Sequence, residues 1–535
     1  MLQNYKNISW SIPGFVALLI IVSIISISFV GVASYFSLSI LNEIISDTYV
    51  IKIAIFTVGQ ALLSTIISVL LSIPFALFTA KYYQHTLVRL ILSLGWLAFV
   101  TPVIIGVFGI IKIHGVSGFI SNTSVFMGGQ SLNYLYGLSG IILAHIFFNM
   151  PFSARNIVYS LNNIPEETWR LSAQLNLSRW QVFKFIEWPA IRNNIFATAG
   201  VIFALCFTSF AVVLTLGGGP KSTILEVAIY YALRIEFDID RAISLGIIQI
   251  ILASLIVIAI VISNKSILIE PHQKIKFDKI YKHKSTDYII DILGVTIGIV
   301  TFLLPIIAII SSSLMSISSE LLFQWKLLHA TLWSLILGLS SGLLSLSIGM
   351  GLLVTMRELL FHKKYSWITK VIEFSGNIIL IFPPILLGVG MFLALRSKID
   401  IFTSAPLLII TINAITSLPF ILRILGPEFM RAGKMHNKLC KSLNIRGFVR
   451  FRYIDFPVIK SAIASAFAVS ASMALGDLGM ISLFGSPEIT TLPLYIYQSM
   501  GSYKMDQASV GITVLMLLTL TLIYGSEKIT GEQND

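Results

Sequence analysis

Charge is scarce in this chain. Only 12% of its 535 residues are Asp, Glu, Lys or Arg, against about 25% in an average soluble domain, while 56% are hydrophobic. Cysteine occurs twice, Cys206 in an apolar run and Cys440 in a charged one, which excludes a disulfide framework. No run of His, Cys, Asp and Glu resembles a metal cluster, and no nucleophile stands with a base, so catalytic chemistry has no candidate residues. A phosphate loop is also missing. In Gly217-Gly-Gly-Pro-Lys221-Ser222-Thr223, proline precedes the lysine where glycine is required, and Thr215 takes the first glycine's place. The first ten residues hold one Lys and no small-residue cleavage site, so the first apolar run reads as a retained helix.

What the chain has instead is long apolar stretches, with a mean hydropathy of +0.88. About 20 such residues in helical form cross the hydrocarbon of a bilayer while satisfying their own backbone groups. Twelve stretches qualify: 12–36, 53–80, 90–111, 136–154, 195–217, 242–264, 288–311, 328–356, 371–395, 404–422, 461–483 and 507–525. The expected fold is therefore all-α, a polytopic membrane protein of about twelve transmembrane helices.

With a cytoplasmic N-terminus, 28 of the 37 Lys and Arg residues fall on the cytoplasmic side. That asymmetry orients the chain and predicts that both termini are cytoplasmic. It also accounts for the net charge of +12 without a nucleic-acid partner. A Lys-rich stretch at 265–287 reads as a cytoplasmic linker between a first permease unit, 1–264, and a second, 288–535. Six spans in each unit make the repeats parallel.

The two units repeat a segment at a fixed offset of 268. Pro151, Arg155, Arg170-Leu-Ser-Ala-Gln-Leu-Asn176 and Ile186-Glu-Trp-Pro189 recur as Pro419, Arg423, Lys438-Leu-Cys-Lys-Ser-Leu-Asn444 and Ile454-Asp-Phe-Pro457. Each copy reads as a short amphipathic helix, a turn and a second helix re-entering the membrane. Asn176 and Asn444 suit a left-handed helix end. Such a knob fits a groove on a soluble partner.

This arrangement resembles the cytoplasmic loop of binding-protein-dependent ABC import permeases, with its pattern E-A-A-x3-G-x9-I-x-L-P. Onto it fall Arg170, Leu171, Ser172, Asn176, Ile186 and Pro189, and Lys438, Leu439, Cys440, Asn444, Ile454 and Pro457. In each copy the Ile and Pro match, whereas the acidic residue, both alanines and the glycine are replaced. His145-Ile-Phe-Phe-Asn-Met-Pro151, Leu216-Gly-Gly-Gly-Pro220 and Gly501-Ser-Tyr503 narrow the resemblance to the fused two-domain permeases of bacterial thiamine importers, related to fused ferric-iron permeases. The resemblance implies a type I ABC importer transmembrane fold in the bacterial inner membrane, embedded in lipid. Thiamine or its phosphates would be the cargo and ferric iron the alternative. It implies two copies of a soluble ABC ATPase docked on the two loops, with ATP and Mg²⁺ bound there and no cofactor on this chain. A periplasmic or lipid-anchored binding protein would deliver substrate.

Three residues stand out along the expected pathway. Asp477 is an acid within an apolar span and so a default functional candidate, as substrate contact or as a packing group. Ser209 sits near its repeat counterpart. His145 is alone on an apolar helix, where a bond to a neighbouring helix competes with a substrate role. Pro102, Pro151, Pro383, Pro384 and Pro419 are expected to kink spans. An ion-coupled carrier, the other class considered, calls for several intramembrane acids.

Overall fold

A computed structural model describes residues 12–35, 46–263, 287–316, 318–361, 371–372, 375–376, 382–445 and 447–530. The linker expected at 265–287 lies outside these residues except for Asp287. In the first half the helices include α1 (Ile12–Ala33), α2 (Thr48–Lys81), α3 (Thr86–Val100), α4 (Val103–His114), α5 (Leu138–Asn162), α6 (Glu166–Gln174), α7 (Arg179–Val182), α8 (Trp188–Phe207), α9 (Phe210–Leu216), α10 (Leu225–Arg234) and α11 (Ile239–Ser263), with a short helix Phe119–Phe126 following α4. The second half holds α12 (Asp287–Gly298), α13 (Leu304–Ser316), α14 (Trp325–Phe361), α15 (Pro384–Leu395), α16 (Ile401–Ser442), α17 (Gly447–Arg450), α18 (Phe456–Leu475), α19 (Gly479–Phe484), α20 (Leu492–Gly501) and α21 (Met505–Thr530).

Among the described residues, eleven helical segments are long and apolar enough to span a bilayer. The twelfth expected stretch, 371–395, is represented by the 12-residue α15, most of the residues before it lying outside the description. Leu19, Phe29, Ile55, Leu70, Phe196, Ile292 and Leu332 are exposed, as suits helices whose outer faces meet hydrocarbon.

Three of the expected spans are broken. The stretch 90–111 divides at Pro102, which has no amide hydrogen to continue a helix and precedes α4. The stretches 195–217 and 461–483 divide between α8 and α9 and between α18 and α19. Pro383 likewise begins α15, with Pro384 in its first turn. Pro151 and Pro419, by contrast, lie inside the uninterrupted helices α5 and α16.

The first helix of each half packs on the other half. α1 lies along α14 and α15, while α12 lies along α2 and α13 along α4. On one side the Gly14 amide donates to Thr355 Oγ1 at 2.9 Å, and Ser28 Oγ donates to the Leu386 carbonyl at 3.4 Å. On the other, Lys81 Nζ meets Asp291 Oδ2 at 2.7 Å and Tyr82 donates to the same oxygen at 2.8 Å. Gly31 sits against the Gly390 backbone, leaving no room for a Cβ. Small residues at such a crossing bring two backbones into van der Waals contact, the main source of helix association in lipid.

Candidate functional site

The repeated segment is repeated in three dimensions. Helices α7 and α17, the π-turns Phe183–Glu187 and Phe451–Asp455, and helices α8 and α18 all correspond at the 268-residue offset. Asn176 and Asn444 are left-handed, with φ of 47° and 52°. Past them the Leu177 amide donates to the Ser172 carbonyl and the Ile445 amide to the Cys440 carbonyl, the six-to-one bond that closes a helix end.

Burial follows the same register. Arg170 and Lys438, Leu171 and Leu439, Asn176 and Asn444, and Pro189 and Pro457 are exposed. Ser172 and Cys440 are buried, facing into the protein, and Ile186 and Ile454 are partly covered. Further exposed apolar pairs are Leu175 with Leu443, Trp180 with Phe448, and Phe185 with Tyr453. A shallow pocket lined by Ser160, Ile164, Pro165, Thr168, Phe185 and Asn194 opens beside α6.

The two copies differ at their entry. In the first half the chain breaks at Asn163–Pro165 before α6 begins. In the second, Gly433 stands where Pro165 stands in the first, and α16 continues unbroken to Ser442. Proline disfavours the helical conformation in the residue before it, which Gly433 does not.

Each π-turn precedes a proline. Trp188 N donates to Phe183 O, and Phe456 N to Phe451 O, one residue further back than in an α-helix. The widened turn gives room to the rings of Pro189 and Pro457, which would otherwise press on the carbonyl four residues earlier. At the end of each turn an acid is buried, Glu187 in one and Asp455 in the other. Glu187 pairs with Arg179 of its own loop at 2.6 Å. Asp455 pairs with Arg357 of α14 at 2.6 Å, with Arg450 at 3.6 Å. Arg357 also lies 4.6 Å from the Phe429 ring centroid. The Glu and Asp stand in the Ile-Glu-Trp-Pro and Ile-Asp-Phe-Pro motifs, where Ile and Pro alone had been matched to the family pattern.

Asp477 and Ser209 occupy equivalent places, in the breaks before α19 and α9. The Asp477 carboxylate accepts from the Gly479 and Met480 amides at 3.0 Å each and from Asn413 Nδ2 at 3.3 Å. It therefore caps α19 and ties it to α16. Ser209 Oγ donates to the Cys206 carbonyl at 2.9 Å. Pro102 packs on Gly476, so the break before α4 meets the break before α19. His145 is buried between helices, with Nδ1 2.8 Å from Ser64 Oγ, in the bond to a neighbouring helix that competes with a substrate role. Sequence alone does not single out Glu226, because its burial comes from partners distant in the chain. It is 1% exposed on α10, bonded by Gln249 Nε2 at 3.2 Å and by the Phe210 amide that opens α9. Its signal was a single acid in the apolar run from Ile224 to Leu233.

Gly217–Gly219 end α9 in a turn with left-handed Gly218 and Gly219, Gly218 lying against Tyr136. Among the described residues no group of His, Cys, Asp and Glu is arranged to hold a metal ion.

Residues 54–268 match the family described as "Binding-protein-dependent transport system inner membrane component". The thiamine transport system permease protein of Brucella abortus is 36% identical over 489 residues, 91% of this chain and 89% of that protein. That of Escherichia coli K12 is 33% identical over 528 residues, covering 98% and 97%. The ferric transport system permease protein of Actinobacillus pleuropneumoniae is 23% identical over 502 residues, covering 90% and 72%. With its helical breaks, its doubled loop and this match along nearly its whole length, the chain belongs to the binding-protein-dependent transport permeases of the inner membrane.

Proposed function

We propose that this chain supplies both transmembrane halves, 1–264 and 288–535, of an ATP-driven importer for thiamine or its phosphates. In this reading the repeated loops face the cytoplasm and each receives one copy of a soluble ATPase. The observation that carries the docking role is the matched burial of the two loops. Leu171, Leu175, Trp180 and Phe185, and their counterparts Leu439, Leu443, Phe448 and Tyr453, present apolar side chains at the same places on a fixed backbone. Exposed apolar anchors on a rigid support are what a grooved partner recognises. ATP and Mg²⁺ would bind on that partner. Closure of the ATPase pair would draw the loops together and open the pathway outward, where a binding protein would deliver substrate. Hydrolysis would reset it.

Thiamine is favoured over ferric iron because the thiamine permeases are more similar and cover more of both chains. A deletion strain is expected to fail on limiting thiamine and to grow normally on limiting iron; the reverse outcome overturns the assignment. Leu171→Asp with Leu439→Asp is expected to leave insertion intact while abolishing ATPase co-purification and uptake. Normal uptake by that variant would refute the docking role.

A further inference from the structure

At the end of the bundle opposite the repeated loops, the duplication brings like residues together. Tyr230 of α10 and Tyr497 of α20 correspond at an offset of 267. Tyr230 and Tyr231 lie with ring centroids 5.6 Å apart, and Tyr497 interacts with both from the second half. All three are half-buried, leaving part of each ring open. Arg234 reaches from the end of this group to the Gly485 carbonyl at 2.9 Å and ties α10 to the second half.

Below the tyrosines lies Phe210, 5% exposed, edge-on to Tyr230 with centroids 5.5 Å apart. Phe210 Cδ1 and Asp477 Oδ1 both come within 3.6 Å of the point where a Cβ on Gly479 would sit, so ring and carboxylate share one small space. On the other side of Phe210 its amide meets Glu226. Gln249, fully buried and donating to Glu226 through Nε2, has an Oε1 with no hydrogen-bond partner. The result is a column of aromatic faces ending on carboxylates, built where the broken helices of the two halves meet.

Packing alone does not call for this composition. A hydrophobic seal is made as well by Leu or Ile, and Asn would cap α19 as well as Asp. Aromatic faces attract cations through their quadrupole, and a carboxylate supplies the countercharge. We propose that this column holds the substrate during translocation and takes a flat organic cation, read by the faces of Tyr230, Tyr231 and Tyr497 and by the charge of Asp477. The inference rests on the thiamine reading, since the thiazolium ring common to thiamine and its phosphates is such a cation.

The test uses the full permease in liposomes with its ATPase and binding protein, measuring thiamine uptake and ATP hydrolysis together. Tyr497→Leu, Tyr230→Leu and Asp477→Asn are each expected to raise the ATP hydrolysed per thiamine imported by about 10-fold, within the range that losing one cation–π contact or countercharge gives. Tyr497→Phe keeps the ring and is expected to stay within about 2-fold of the parent. A purely structural lesion would lower hydrolysis and uptake together. Unchanged coupling in the Leu variants, or equal damage from Phe and Leu, overturns the site while leaving the function intact. Absence of thiamine uptake by the unmodified complex overturns the thiamine reading, and this inference with it.

Discussion

Asn176 and Asn444 hold backbone angles that cost most residues about 1–2 kcal/mol, and Asn tolerates them because its short polar side chain bonds locally. Replacing both with Gly is expected to be nearly neutral, and replacing both with Val to destabilise by about 1–2 kcal/mol at each site. Thermal unfolding of the purified protein in detergent checks this. These two residues were legible in the sequence, since each follows a Leu at the end of a periodic run. Asp477 was legible as an acid in an apolar span, but its capping role was not. That role depends on a helix break at Gly476, which no proline marks. Glu226 was hidden for a different reason: its burial comes from partners distant in sequence, the Phe210 amide and Gln249.

The paired π-turns are alike in backbone and unlike in attachment. Glu187 is held within its own loop, whereas Asp455, fully buried, is held by an arginine 98 residues away. Removing one partner of a buried pair strands a charge in a medium that solvates it poorly, a loss of about 3–5 kcal/mol. Arg357→Met is therefore expected to lower the melting temperature strongly, and Arg357→Met with Asp455→Asn to recover part of the loss, Arg450 keeping its bond to the Gly433 carbonyl. If the single and double variants melt alike, the pair is not what anchors the turn. The second loop is thus fastened to α14, a core helix. Sequence could supply the acids and the prolines, but a salt bridge between elements so far apart leaves no periodic trace.

The repeated segment was legible from the offset alone, because duplicated residues keep their spacing however the chain folds. Which half each first helix packs on was not. Lipid-facing and protein-facing sides of α1 are equally apolar, so hydropathy does not tell one from the other, and only Gly14, Ser28 and Gly31 mark the buried side. With α1 on the second half and α12–α13 on the first, neither half buries its own surface alone. Cutting the chain within 265–287 and expressing the two pieces together is expected to give a complex that co-purifies, while each piece alone is degraded. Stable accumulation of either piece by itself would count against the exchange.

Helix α16 runs 42 residues without a break, from Ile401 past Asn413, the partner of Asp477, to Ser442 beside Asn444. At 1.5 Å per residue it is about 63 Å long, with Pro406, Pro419 and Pro427 inside it. Tilted as one body by about 5° about its middle, it would carry each tip about 3 Å, in opposite directions. In the first half the break at Asn163–Pro165 makes a joint where the second half has a beam. In that tilt Asn413, about 13 Å from the middle, moves about 1 Å in the direction opposite to the second knob, while in the first half a push at the knob can be taken up in bending.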